Sequence, residues 1–278
     1  MGLALAVVAA LFYGGADFFG GIASRRTPAI AVVVLSQAAG LALLALALPL
    51  GGGHLTATTL EFGLAGGVAA GVGIGCLYAA LARGRMGIVS PITAVVGASV
   101  PVAIGLAFGG RPATLALAGV GCTFAAVALV SIGPDARGAT AREPGLMLAL
   151  VSGLAIGALY VLLSRGGAGA GLWLLAVTRV TSIVLLAVVA LLARIPLRTS
   201  RSQVSTIVSA GLLDIAANIL YVLATRVTLL AIAAVVTSLY PASTVFLARI
   251  RLHERLTRTQ WIGVAFAATG VVLIALAQ

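Results

Sequence analysis

LYVLATRVTLLAIAAVVTSLYPASTVFLARIRLHERLTRTQWIGVAFAATGVVLIAL, residues 220–276, is the stretch whose reading decides the fold. It reads as three apolar helices. The first ends at Arg226, the second carries a Tyr240-Pro241 step, and the third follows the loop Arg251-Leu252-His253-Glu254-Arg255-Leu256. That loop is too charged to enter hydrocarbon, while its flanks are too apolar to sit in water. A fainter copy lies upstream at residues 77–132, LYAALARGRMGIVSPITAVVGASVPVAIGLAFGGRPATLALAGVGCTFAAVALVSI. Leu77-Tyr78 matches Leu220-Tyr221, Arg83 matches Arg226 and Pro101 matches Pro241. Gly119-Val120 likewise matches Gly263-Val264, and Val127 and Leu129 match Val271 and Leu273. The offset drifts between these anchors, so short insertions separate the copies. An internal repeat of this length constrains the architecture before any single residue does.

The rest of the chain shares this composition. It is 62% hydrophobic and 8% charged, with a mean hydropathy of +1.21; a soluble domain carries roughly 25% charged residues. Thirty-five glycines suit a polytopic helical membrane protein, in which small residues let helices approach closely. The net charge is +11, and all 17 basic residues are arginine. A basic chain can signal a nucleic-acid partner. Here the arginines fall almost entirely in the breaks between apolar runs, where they set topology, so no nucleic-acid partner is expected. Cys76 and Cys122 sit inside apolar runs and read as small buried residues, because no second ligand cluster accompanies them. The first apolar run has no charged segment before it and passes through Gly14-Gly15-Ala16-Asp17 without a cleavage site. It reads as a membrane helix and not as a signal peptide.

A spanning helix needs ~20 predominantly apolar residues. Ten segments qualify, at about 3–22, 29–50, 60–82, 88–108, 113–132, 145–164, 171–193, 205–225, 229–248 and 259–277. The turn-forming, charged run Gly133-Pro134-Asp135-Ala136-Arg137-Gly138 divides them into five plus five. The expected fold is therefore an all-α integral membrane protein of ten transmembrane helices in two five-helix repeats, residues 1–133 and 145–278, joined by a linker at 134–144. An odd number of spans per repeat makes the two halves run in opposite directions across the bilayer, with a site expected at mid-membrane between them.

Arginine counts orient the chain. The odd-numbered connections hold Arg25, Arg26, Arg83, Arg85, Arg137, Arg142, Arg194, Arg198, Arg201, Arg249, Arg251, Arg255 and Arg258, whereas the even-numbered ones hold only Arg111, Arg165 and Arg226. The positive-inside rule puts the odd connections in the cytoplasm and both termini outside, in a multi-pass protein of the plasma or inner membrane.

The paired pattern at the ends of the two halves resembles the EamA-type repeat of the drug/metabolite transporter superfamily. The residues that carry the resemblance are Leu220-Tyr221 with Arg226, the Tyr240-Pro241 step, Glu254-Arg255-Leu256-Thr257 with Gln260, and Gly263 with Gly270. Tyr13-Gly14 is similar to the family's first-helix Trp-Gly position. The resemblance implies a multi-pass transporter of small metabolites, commonly an exporter, with a central cavity between the repeats. The expected protein is a secondary active transporter exporting amino acids or related compounds by alternating access with proton coupling, as a monomer or homodimer. The first half departs from the pattern, with Gly110-Arg111 where the second has Glu254-Arg255. Family members are often drawn with cytoplasmic termini, against the arginine count.

Charges well inside the expected spans are Asp17, Arg179 and Asp214. Such a charge costs ~2.5–3.5 kcal/mol on insertion scales, so each calls for a role. Asp214 lies near the midplane of the eighth span, with Asn218 and Tyr221 following at one-turn and two-turn spacing on the same face. That face could bind a substrate ammonium or accept a coupling proton, or Asp214 could pair with Arg179 to hold the bundle together. Asp17 follows Tyr13 by one turn in a glycine-rich face, Gly14 to Gly21. It is a candidate proton or cation group, or an acid reaching toward Arg25 or Arg26. Arg179 could hold a substrate carboxylate in a bidentate fork. Pro91, Pro101 and Pro241 interrupt the fourth and ninth helices, exposing carbonyls that are tolerated only against protein or a cavity. Ser90, Thr93, Tyr240 and Ser243 are polar neighbours of those breaks. Tyr78, Tyr160 and Tyr221 are expected to line the cavity, where aromatic faces suit apolar, aromatic or cationic substrates. Trp173 and Trp261 read as interface anchors. Glu254, with Arg255 and Arg258, reads as a capping and salt-bridge arrangement at the entry to the tenth helix, with a gating role as the alternative.

No enzyme is expected: His-Glu-x-x-His, Gly-x-Ser-x-Gly and phosphate-binding glycine loops are all missing from the sequence. His54 and His253 lie in loops after different helices, so neither a metal nor a cofactor is expected. The rival readings are a non-transporting membrane subunit and a flippase for lipids or lipid-linked sugars.

Overall fold

The structure is a computed structural model that describes residues 1–107, 113–134, 140–142, 145–166, 169–227, 237, 239–254 and 256–277. Among them ten helices follow in order. The first five are α1 (Gly2–Ser24), α2 (Ala29–Gly51), α3 (Ala57–Arg83), α4 (Met86–Ala107) and α5 (Thr114–Ser131). The next five are α6 (Leu146–Arg165), α7 (Trp173–Leu192), α8 (Arg201–Val227), α9 (Tyr240–Leu252) and α10 (Arg258–Leu276). Apart from the ninth, each expected segment coincides with its helix to within about four residues, inside the usual blur of helix ends. The start of the ninth segment lies outside the described residues, as do Gly110-Arg111, Asp135 to Gly138 and Arg255.

By length and composition, α1, α2, α3, α6, α7 and α8 can each cross a membrane, and α4, α5 and α10 carry shorter apolar runs. The linker departs from the all-helical expectation. Ile132–Pro134 and Thr140–Arg142 pair antiparallel as a small ribbon, Gly133 opposite Ala141. The fourth helix is not interrupted either: α4 runs unbroken through Pro91 and Pro101. Pro241 sits in the first turn of α9, where its missing N–H leaves no helical bond unmade.

The connections sort to two ends. At one, the Thr27 and Thr199 hydroxyls are 3.1 Å apart. Gly145, which opens α6, packs on Ala80 and Gly84 at the end of α3, and Glu254 from the α9–α10 turn reaches the start of α4. At the other, the His54 N–H donates to the Gly169 carbonyl at 3.1 Å and Thr59 Oγ1 donates to the Gly166 carbonyl at 3.3 Å. Odd connections thus share one end and the α2–α3 and α6–α7 connections the other, as successive membrane crossings require. The first is the arginine-rich end.

Packing between helices recurs under exchange of each helix with the one five places on. Helix α1 lies on α8 as α6 lies on α3, α3 meets α7 as α8 meets α2, and α4 meets α6 as α9 meets α1. Helices α2 and α7, α4 and α9, and α5 and α10 meet across the centre. Glycines permit the closest of these approaches. A Cβ on Gly14 would lie 2.6 Å from the Tyr240 carbonyl oxygen, and one on Gly20 would overlap the Tyr78 ring. The main apolar core gathers toward the arginine-rich end around Phe18, Tyr78, Leu81, Met86, Ile88 and Ile92, all nearly inaccessible.

Candidate functional site

Between α1, α7, α8 and α9 the polar side chains of the bundle converge. Arg179 of α7 and Asp214 of α8 form a direct ion pair. The arginine side chain is 9% exposed, while the aspartate keeps 21%. Asn218, one turn on, donates from Nδ2 to the backbone carbonyl of Asp214 at 2.8 Å, so its amide is engaged within α8. Tyr221, two turns on, is half-buried.

On α1, Tyr13 and Asp17 are half-buried one turn apart. Asp17 Oδ2 accepts a hydrogen bond from Ser90 Oγ of α4 at 3.4 Å. The alternative partner expected from sequence, Arg25, lies instead 3.7 Å from Glu254. Tyr13 faces Tyr240 of α9, ring centroids 6.1 Å apart and tilted by 59°, within the range of favourable aromatic pairs. The glycines of α1 make this possible, since Gly14 lets α9 come against α1 at that level.

Tyr160 belongs to the same group. It continues the buried stripe of α6 through Gly153 and Gly157 by one further turn, so it points inward. It lies within electrostatic reach of Asp17, Asp214, Tyr13, Tyr221 and Tyr240. Yet it is 50% exposed. Tyr78 behaves differently: it is buried in the core cluster against Gly20.

Other expected polar residues serve packing. Thr93 Oγ1 donates to the Ala149 carbonyl at 3.3 Å, joining α4 to α6. Ser243 Oγ and Thr244 Oγ1 donate to the Ala10 and Gly14 carbonyls of α1. Trp261 is exposed, with the Arg249 guanidinium 6.0 Å from its ring centroid. Cys76 and Cys122 are unpaired and half-buried, more accessible than expected.

Two features escaped the sequence reading. Both oxygens of Glu254, expected at the entry to α10, accept from backbone N–H groups at the start of α4. Gln37 of α2 is buried with both amide atoms unpartnered. The signal for Gln37 was present, since Ser36-Gln37 is a polar pair in an otherwise apolar helix.

The EamA-like transporter family matches residues 143–276. The match covers the second half of the chain, and several helices are long and apolar enough to cross a membrane, as a multi-pass protein requires. A solved structure titled "Crystal structure of protein" superposes with a TM-score of 0.62 at 15% identity, covering 98% of this chain and 95% of that one. That likeness shows a shared fold. No curated protein matches the chain in sequence.

Proposed function

We propose that this protein is a secondary active transporter of the EamA-like kind, exporting amino acids or related compounds by alternating access with proton coupling. The observation that carries the reading is the convergence of Asp17, Asp214 and Arg179 with Tyr13, Tyr160, Tyr221 and Tyr240 inside apolar helices. Ionisable groups at that depth are costly and mark substrate or proton paths. Asp214 and Asp17 serve as the proton or cation groups. Arg179 receives a substrate carboxylate once Asp214 releases it, and the tyrosine faces accommodate an apolar or cationic side chain.

Two inverted five-helix repeats supply the moving parts in this reading. It is supported by the recurrence of the packing under a five-place exchange. The sorting of connections also supports it: α1 ends at the arginine-rich end, where α6 begins. The arginine count favours a cytoplasmic location for that end and external termini.

The test is flux into proteoliposomes holding only this protein, with substrates first chosen by thermal-shift screening of amino acids, nucleosides, polyamines and drugs. The Asp214→Asn variant should remain folded and lose transport. Undiminished flux in that variant would remove Asp214 from the mechanism. No flux of any ligand that stabilises the wild type would favour a non-transporting subunit. Movement of labelled lipid between leaflets would favour a flippase.

A further inference from the structure

We propose that Glu254 is the latch of an inter-helix gate that seals the arginine-rich end of the transport path. Glu254 sits in the turn between α9 and α10 and reaches across the bundle to α4. Its Oε1 accepts from the Met86 N–H and its Oε2 from the Gly87 N–H, each at 3.0 Å. A carboxylate there meets unpaired N–H groups and the positive end of the helix dipole, both of which favour negative charge. The side chain is 10% exposed, so water competes poorly for these bonds. Arg25, at the end of α1, adds a contact at 3.7 Å from its more exposed guanidinium. Leu256 closes over Gly87, where an added Cβ would lie 3.4 Å from its methyl carbon. One carboxylate thereby ties three connections together: α1–α2, α3–α4 and α9–α10.

The latch is joined to the polar site through α4. Ser90, three residues beyond Gly87, is the residue whose hydroxyl holds Asp17. Pro91 follows it and has no N–H to bond the Gly87 carbonyl, so the first turn of α4 is linked more loosely to the rest of that helix. The first turn is thus the part that the latch holds and that carries the contact to Asp17. The distribution of burial gives the direction. Toward the arginine-rich end Phe18, Tyr78, Met86 and Ile88 are nearly inaccessible. Tyr160, on the arginine-poor side, keeps half its surface accessible. This conformation is shut where Glu254 sits. In the opposite state of the cycle, Glu254 leaves the α4 terminus.

This inference rests on the transporter reading for its purpose, and its test stands apart from it. With Cys76 and Cys122 replaced by alanine, spin labels at the exposed positions Arg83 and Arg251 report the separation of α3 and α9 at this end by pulsed dipolar spectroscopy. The parent should give one distance distribution. Because charge-assisted hydrogen bonds to backbone are the strong kind, Glu254→Ala should shift the population toward a longer distance by roughly tenfold or more. Glu254→Gln, isosteric and less disruptive to folding, should shift it less, and Arg25→Ala least, as befits an exposed partner. An unchanged distribution in Glu254→Ala and Glu254→Gln overturns the latch; if the alanine variant is not monodisperse, the glutamine variant decides. Flux measured on the same preparations separates the two ideas. Shifted distances without flux in the parent leave the latch and remove the transport reading, whereas normal flux with unmoved distances does the reverse.

Discussion

Arg179 on α7 and Asp214 on α8 form an ion pair across two apolar helices, the aspartate exposed more than twice as much as the arginine, at 21% against 9%. Neither charge is easily tolerated alone in an apolar helix, and each removes the need for the other to be neutral. Breaking such a pair from one side strands the remaining charge, at a cost of about 3–5 kcal/mol when fully buried, and less where one partner keeps some water. The asymmetry of exposure leaves Asp214 the more accessible partner of the pair.

The pair can therefore be tested by removing both charges together. Arg179→Leu combined with Asp214→Leu leaves no stranded charge, and replacement of a buried pair by apolar side chains of similar size is neutral to stabilising. The double variant should unfold in detergent at or above the temperature of the parent, and it should carry no substrate in proteoliposomes. Transport retained by the double variant would reduce the pair to a structural contact.

Close approach of α1 to its neighbours makes a second prediction about stability. Gly20→Ala would drive a methyl group into the Tyr78 ring, and Gly14→Ala would place one 2.6 Å from the Tyr240 carbonyl oxygen. Overpacking of this kind costs typically about 1–3 kcal/mol. Gly75→Ala, where an added Cβ meets nothing within 4 Å, is the control and should leave stability within about 0.5 kcal/mol. Thermal unfolding of the three purified variants checks the order.

Orientation yields a third. Single cysteines at the exposed positions Arg26, Arg83 and Arg251, in a background lacking Cys76 and Cys122, share the arginine-rich end. An impermeant thiol reagent should label all of them from the cytoplasmic side, and label a cysteine at His54 only from outside. All sites reacting from the reverse sides would invert the topology while leaving the fold unchanged, and labelling of Arg26 and Arg251 from different sides would break the shared-end geometry.

Hydropathy alone located the helices because in a membrane each span must be long and apolar and each break polar, which is a one-dimensional rule. The charged positions Asp17, Arg179 and Asp214 were legible for the same reason: each stands out against hydrocarbon-like neighbours. Partner choice followed a different logic. Asp17 had Arg25 and Arg26 two turns away in sequence, yet bonds Ser90, because α4 crosses α1 at that level. Glu254 stood next to the start of α10 and caps α4 instead, 168 residues away in the chain.

What the sequence by itself determined is the class, the position of each described helix but the ninth, and which residues are too polar for their surroundings. These follow from transfer free energies that each segment carries wherever it packs. Only the tertiary structure decided that Arg179 meets Asp214, that Tyr160 is inward yet accessible, and that Glu254 joins one helix turn to the start of another. Such pairings depend on which helices cross and at what height. Here glycines such as Gly14 and Gly20 decide that through close packing, with no periodicity that announces the partner.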